Sequence, residues 1–302
     1  MDNFQIRTDL ALEAQERFRE DNVEISGVVI EEEYREDTDI RITKVLIETE
    51  NGSRLMGKSK GAYITLEAPN MTENDEDYQR EISKELAKQI RLLINTDEEE
   101  KSVLVVGLGN RDVTPDALGP DVVGNLLITR HIIKEYGKSA MEREHVHRIS
   151  AIVPGVMAQT GMETLEILKG ILSETAPDLM IVVDALAARS TKRLNRTIQI
   201  SDAGIHPGSG VGNNRQALTR DTLKIPVIAI GVPTVVDAAT IVSDALGKLD
   251  EPEKIQLTRE LITPQLNGMF VTPKDIDEVM KRLSHTISEG INIALEIGRD
   301  PA

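Results

Sequence analysis

The chain of 302 residues contains no cysteine and no long apolar run. Without cysteine there can be no disulfide, iron–sulfur cluster, thiolate zinc site or cysteine nucleophile. A membrane span needs about 18 consecutive apolar residues, and the sequence has no such run. The segment from Met1 to Asp9 also lacks the basic and apolar regions of a signal peptide. We therefore expect neither export nor membrane association, and we predict a cytoplasmic protein.

Basic residues are scarce relative to acidic ones. The formal net charge is −16, and residues 1–100 carry most of it, with 26 Asp and Glu against 13 Lys and Arg. Residues 101–302 have 25 Asp and Glu against 22 Lys and Arg, a net charge of only −3. Because proteins bind nucleic acids largely through the phosphates, we expect no direct nucleic acid binding by so acidic a chain.

The first hundred residues are predicted to be rich in β-strands. Residues 10–20 have the composition of a helix, and residues 23–68 then show β alternation. Asn51-Gly52 favours a hairpin turn because both residues tolerate a positive φ.

Two further sites carry the signals of helix starts. A long polar helix should run from Thr72 to about Ile94, with Asp75 as a capping-box partner. Thr272-Pro273 predicts an N-cap followed by a proline at the first helical position.

After residue 101, apolar runs alternate with helical patterns. Strands are predicted at 103–107, 148–153, 179–184 and 226–231, and helices at 120–136, 162–175, 236–246 and 273–297. Such alternation is typical of a parallel sheet covered by helices on both faces. The sequence therefore predicts an α/β fold: a three-layer α/β/α core with a mostly parallel central sheet, preceded by an N-terminal antiparallel β extension.

Two glycine-containing segments resemble nucleotide-binding patterns. Gly52–Ser59 matches the phosphate-loop pattern G-x-x-x-x-G-K-[ST], but Gly61–Leu66 continues as a strand where a phosphate loop would open a helix. We interpret this segment as a hairpin turn with solvated lysines. Gly107–Gly109 lacks the third glycine of a dinucleotide fingerprint, because Asp112 stands in its place. It is either a tight strand exit or a loop that lets a substrate backbone approach.

Residues 206–215 form a third, glycine-rich loop that could clamp a peptide. Ser209 or Ser190 could act as a nucleophile with His206, although the sequence places no acidic residue to orient the histidine.

The histidines do not form a metal-binding pattern. The five are scattered, and only His145 and His147 lie two apart. We interpret them as surface or core residues and predict no metal and no cofactor, while a site with one metal ion and carboxylate ligands stays open.

Asp116 and Asp184 each stand at the end of a strand-like apolar run, where α/β sheets usually place their ligands. A pair of carboxylates at such a crevice can activate water against an amide. A strand-end aspartate is as often the N-cap of the following helix. The residues alone leave both interpretations open.

The chain resembles the germination protease family of endospore-forming bacteria, atypical aspartic endopeptidases distantly similar to hydrogenase-maturation endopeptidases. The resemblance extends over nearly the whole chain. It rests on Val105–Asn110, Thr114–Pro120, Asn125–His131, Ser150–Met157, Asp184–Ser190, Ile200–Asn213, Pro233–Ala238 and Val271–Lys274.

The resemblance implies an endopeptidase with Asp116 and Asp184 as its catalytic aspartates. It implies small acid-soluble spore proteins as substrates, a homotetramer, and a location in the forespore and spore core. It also implies a zymogen that cleaves itself between Asp9 and Leu10, so that residues 1–9 are a propeptide and residues 10–302 a single peptidase domain. That domain would comprise the β-rich portion, 10–100, and the α/β core, 101–302. Candidate substrate-binding residues are Gly109, Asn110, Arg189, His206 and Ser209.

The chain departs from the family pattern at two places and from ordinary aspartic proteases at a third. Ile6 stands where substrates carry an acidic residue, and Leu246–Lys254 is short where some relatives have a longer insertion. No D-[ST]-G triplet occurs. The rival hypotheses are a metal-dependent maturation peptidase of the same fold and a nucleotide-binding regulatory module.

Overall fold

The computed structural model describes residues 8–20, 25–94, 100–141, 146–208, 215–245, 266 and 269–296. Within these ranges, nine strands form one sheet in the order β1-β2-β3-β7-β8-β6-β4-β5, with β9 paired to β8. The strands are β1 (Val28–Arg35), β2 (Ile40–Ile47), β3 (Gly61–Glu67), β4 (Ser102–Gly107), β5 (Arg148–Ile152), β6 (Leu179–Ala188), β7 (Thr197–Ser201), β8 (Val227–Asp237) and β9 (Phe270–Val271).

Helices connect and cover these strands. The α-helices are α1 (Ala11–Glu20), α2 (Glu50–Met56), α3 (Glu76–Ile94), α4 (Leu118–Gly124), α5 (Arg130–Tyr136), α6 (Met157–Thr160), α7 (Thr164–Thr175), α8 (Arg220–Leu223), α9 (Ala238–Ala245) and α10 (Ile276–Ala294). Short 3-10 helices occupy Thr114–Asp116, Lys138–Met141 and Thr191–Arg193. None of the helices in the described ranges has the length and hydropathy needed to cross a bilayer.

The sheet has a parallel core and an antiparallel wing. Strands β5, β4, β6 and β8 are parallel neighbours, whereas β1, β2, β3 and β7 pair antiparallel. Strand β7 joins the two parts, because it pairs antiparallel with β8. The predicted α/β class is confirmed, and the predicted N-terminal β extension continues the same sheet.

Alternate residues of the core strands supply the two faces of the sheet. Val103 and Val105 of β4 pack with apolar residues of α3, α4 and α10. Leu104 and Val106 of the same strand pack with Leu168 of α7 on the other face. Burial of both faces explains why the core strands read as continuous apolar runs.

Several predicted element boundaries are wrong. Asn51-Gly52 lies inside α2 and makes no hairpin, because the Thr49 side chain accepts the Gly52 N–H (3.0 Å) and so caps a helix there. Strand β6 does not end at Asp184 but continues to Ala188, because β8 is long enough to pair with it throughout.

Three helix predictions also need correction. Helix α3 begins at Glu76 rather than Thr72, and Asp75 accepts the Tyr78 N–H (3.0 Å). The predicted helix 120–136 is two helices, α4 and α5. The predicted cap at Thr272 is absent, since α10 begins at Ile276 and the Thr272 hydroxyl donates to the Thr234 carbonyl (2.9 Å).

Candidate active site

Asp116 is held by a glycine turn after β4. Gly109 has φ +116°, and a Cβ at that position would lie 1.9 Å from the Asp116 carbonyl oxygen. The next residue, Asn110, donates its N–H to that oxygen (3.0 Å). Burial raises the pKa of the Asp116 carboxyl to about 6, although the Asn110 backbone N–H opposes the shift. The turn thus presents a carboxyl group that can change protonation near neutral pH.

Asp184 lies on β6, one residue beyond the end of its pairing with β4. Its side chain is buried, and burial raises its pKa well above the usual range. The negative charges of Asp116 and then of Asp9 raise it further, while a hydrogen bond from the Ala185 N–H (3.0 Å) opposes the shift. The two candidate aspartates are therefore electrostatic neighbours, and Asp9 belongs to the same cluster.

Neither aspartate is a helix N-cap in the described part of the chain. Asp184 lies within a strand, and α4 has Ala117 at its cap position without any side-chain capping bond. The capping interpretation is therefore wrong for both residues.

Thr8 to Glu13 lie along the sheet beside this cluster. Asp9 donates its N–H to the Ala187 carbonyl (3.0 Å), and its carboxylate accepts the Ala187 N–H (2.9 Å). Leu10 is fully buried, in a cluster that includes Leu186 and Val236. The N-terminal segment is thus docked on β6 and β8.

The sheet register brings Gln199 to the same site. Gly231 of β8 is paired with Asp184 of β6 on one side and with Gln199 of β7 on the other. Residues in register on neighbouring strands point to the same face, and strands lie about 4.8 Å apart. The Leu186 side chain occupies the space above Gly231, where a Cβ would lie 2.5 Å from its Cδ1. Gln199 and Asp184 therefore flank Gly231 on one face.

Lys58 and Gln199 both bind the Asp9 carbonyl oxygen. The Lys58 ammonium donates to it at 2.8 Å, and the Gln199 amide nitrogen donates at 3.2 Å. The Gln199 amide oxygen accepts the Ala11 N–H at 2.7 Å. Burial lowers the pKa of Lys58, although Asp9 and Glu13 oppose that shift. The prediction of solvated lysines at this turn is wrong for Lys58.

Glu13 anchors the far end of the docked segment. It is 1% exposed, and its carboxylate accepts the backbone N–H groups of Arg189 (2.7 Å) and Ser190 (2.9 Å). The Thr8 hydroxyl donates to the same carboxylate. Arg193 lies 3.5 Å away and forms closer ion pairs with Glu16 (2.6 Å) and Glu67 (2.9 Å).

The predicted substrate-binding residues do not lie together at one place in the described structure. Gly109 and Asn110 support Asp116, while Arg189 contributes its N–H to Glu13. His206 has Nε2 3.4 Å from the Ser59 hydroxyl, and burial followed by the charge of Lys58 lowers its pKa. Ser209 lies outside the described residues, as do the short segment at 246–254 and Ile6.

Sequence reasoning missed Lys58, Gln199 and Glu13 as components of this site. Lys58 stood inside the phosphate-loop match, and Gly57 at φ 63° turns the chain after α2 so that the lysine reaches Asp9. No local pattern marks Gln199, whose position depends on the register of β7. Across the described residues, no three His, Asp or Glu side chains come together as a metal ligand set.

Comparison with known proteins identifies the family of the chain. The chain matches the family model described as germination protease over residues 6–247 and 245–300. It is therefore a peptidase, with proteins as its substrates. The chain belongs to the germination protease family, which acts in spore germination.

Similar proteins, each named germination protease, occur in several bacteria. That of Caldanaerobacter subterraneus subsp. tengcongensis is 48% identical over 97% of this chain and 95% of the relative. The Clostridium tetani protein is 45% identical over 96% of this chain and 95% of its own length. The Bacillus cytotoxicus protein is 41% identical over 98% of this chain and 95% of its own length. A hydrogenase maturation protease, HycI of Thermococcus kodakarensis, is 17% identical over 67% of this chain and 98% of its own, with a TM-score of 0.33.

Proposed function

We propose that the protein is an aspartic-type endopeptidase in which Asp116 and Asp184 activate water. Asp184, the more deeply buried carboxyl, serves as the protonated acid. Asp116, with a pKa of about 6, is ionised at neutral pH and serves as the base. Two carboxyl groups whose pKa values are separated by their surroundings supply both protonation states at one pH.

We further propose that the protein is a zymogen that cleaves its own Asp9–Leu10 bond. The observation that carries this proposal is the docking of Asp9 and Leu10 on β6, the strand that holds Asp184. Asp9 raises the pKa of Asp184, and Leu10 packs on the β6 residue Leu186. Residues 1–9 are then the propeptide, and the intact segment occupies the place of a substrate.

Small acid-soluble spore proteins are the proposed substrates, and membership of the germination protease family supports this. The net charge of −16 adds a condition, because an acidic enzyme is repelled by DNA. Substrate bound to DNA should be cleaved more slowly than free substrate. A homotetramer in the spore core is the proposed working form.

The test is the mass of the chain over time. Wild type should lose residues 1–9 and should cleave a small acid-soluble spore protein added in trans. Asp116→Asn and Asp184→Asn should do neither, because each removes one partner of the pair. Asp121→Asn is the matched control, since Asp121 lies on α4 near Asp116 and has a pKa raised mainly by burial.

Folding of each variant is checked by its thermal unfolding midpoint. Full processing by a folded Asp116→Asn or Asp184→Asn would refute the proposed pair. Loss of activity after exhaustive chelation would support the metal-dependent alternative, because two aspartates acting on water need no metal.

A further inference from the structure

The Asp9–Leu10 peptide group is hydrogen-bonded on both sides. Its carbonyl oxygen accepts from Lys58 (2.8 Å) and Gln199 (3.2 Å). Its N–H, on Leu10, donates to the Thr8 hydroxyl (3.0 Å). Two convergent side-chain donors on one carbonyl oxygen are the arrangement expected where negative charge develops in amide hydrolysis. The charge of Asp9 also lies close enough to Asp184 to raise the pKa of that carboxyl.

We infer that Lys58 and Gln199 are catalytic residues that stabilise the oxyanion formed when water adds to the Asp9 carbonyl carbon. The inference rests on the proposed function, because it supposes that Asp9–Leu10 is the bond that is cut. It adds the group that stabilises the developing charge, which the two aspartates alone do not supply.

Hydrolysis of the Asp9–Leu10 bond proceeds by addition of water and then loss of the Leu10 amine. The ionised carboxylate of Asp116 takes one proton from water as the hydroxide oxygen bonds to the Asp9 carbonyl carbon. The π electrons of that carbonyl move to its oxygen, where Lys58 and Gln199 donate hydrogen bonds. When the C=O bond re-forms, the C–N bond breaks and the Leu10 nitrogen takes the proton of Asp184. The products are a carboxylic acid at Asp9 and a free amine at Leu10.

Both donors are fixed in place before the reaction. Hydrogen bonds fix the orientation of the Gln199 amide, because its oxygen accepts the Ala11 N–H (2.7 Å) while its nitrogen donates to the Asp9 carbonyl oxygen (3.2 Å). Lys58 is anchored where α2 ends, since its N–H donates to the Ser53 carbonyl (3.2 Å) and its carbonyl accepts the Ser53 hydroxyl (2.7 Å). Donors that need no reorganisation during the reaction stabilise a developing charge most effectively.

The experiment compares the rate at which full-length chains lose residues 1–9, followed by mass spectrometry. We expect Lys58→Met to slow processing by about 100-fold and Gln199→Met by about tenfold. Lys58→Arg should recover part of the loss because it restores a cationic donor. Lys60→Met is the matched control and should process at the wild-type rate, since Lys60 is exposed and pairs with Glu50.

A second measurement separates chemistry from docking. Lys58→Met and Gln199→Met are each combined with Asp184→Asn, and protection of residues 8–13 from an added protease is compared with Asp184→Asn alone. Slow processing with the segment still protected supports the inference. Processing at or above the wild-type rate overturns it, and so does loss of protection, which would make the contacts merely structural.

Two further outcomes distinguish the proposed self-cleavage from the oxyanion inference. If wild type leaves the Asp9–Leu10 bond intact, the proposed self-cleavage fails. If wild type processes and the Lys58 and Gln199 variants match it, only the oxyanion inference fails. If Lys58→Met does not fold, the processing rate and the segment protection of Gln199→Met test the oxyanion inference instead.

Discussion

Asp9 and Ala187 are joined by two hydrogen bonds, from the Asp9 N–H to the Ala187 carbonyl (3.0 Å) and from the Ala187 N–H to the Asp9 carboxylate (2.9 Å). This pairing holds the Asp9 charge close enough to Asp184 to raise the pKa of that residue. The residue before the proposed cut therefore influences the protonation of the proposed catalytic acid.

Asp9→Asn should shift the pH dependence of self-processing. Without the Asp9 charge the pKa of Asp184 falls, so its protonated form is lost at lower pH. Asp9 also raises the pKa of Lys58, and its removal lowers that pKa too. Both changes move the alkaline limb of the pH–rate profile to lower pH. An Asp9→Asn variant whose alkaline limb lies at the same pH as that of wild type would contradict this coupling. The control is Asp77→Asn, an exposed substitution on α3, which should leave the profile unchanged.

The stability of the protein should depend on pH through Asp116 and Asp184. Their folded pKa values are raised, so the folded state binds more protons than the unfolded chain above about pH 4, and stability falls as pH rises through that range. The fall in stability due to Asp116 ends at about pH 6, and the fall due to Asp184 continues to higher pH. Asp116→Asn and Asp184→Asn should therefore be more stable than wild type at pH 8.

Urea unfolding measures the predicted gain. We expect about 1–3 kcal/mol at pH 8 and little difference near pH 3.5, where the wild-type carboxyls are protonated as well. A gain that is equal at both pH values would rule out burial of charge as its cause.

Glu13→Ala should loosen the docked segment. It leaves the half-buried Arg189 and Ser190 without the acceptor of their N–H groups and removes one carboxylate from beside Arg193. The expected loss is about 2–4 kcal/mol in the free energy of unfolding. Glu16→Ala is the comparison, because Glu16 pairs with the same arginine but is 40% exposed. Equal losses in the two variants would argue against a special role for Glu13.

Gly109→Ala should impair activity through Asp116. The glycine has φ +116°, and the added Cβ would lie 1.9 Å from the Asp116 carbonyl oxygen, so the turn must move. We expect self-processing to slow by at least about tenfold, since small displacements of a catalytic group are costly. Gly124→Ala in α4 is the control, because its Cβ would meet nothing within 4 Å. A Gly109→Ala variant with wild-type kinetics would show that the turn does not position Asp116.

The strand–helix alternation after residue 101 was readable from sequence because core strands buried on both faces are continuous apolar runs. The positions at which strands and helices end could be predicted less well from the sequence. The length of β6 beyond Asp184 depends on a partner, β8, whose end lies more than 50 residues later. The Asn51-Gly52 turn signal was overridden by the Thr49 cap, a competition that residue preferences alone do not decide.

The sequence by itself determined the classes of chemistry open to the protein and the two aspartates that could carry it. Composition excluded thiol chemistry, and the motifs carried a family resemblance that extends over nearly the whole chain. Only the tertiary structure decided that Lys58 and Gln199 meet at the Asp9 carbonyl oxygen. These residues are separated by 49 and 190 positions from Asp9. Strand register and the turn after α2 bring them together, and neither leaves a local signal in the sequence.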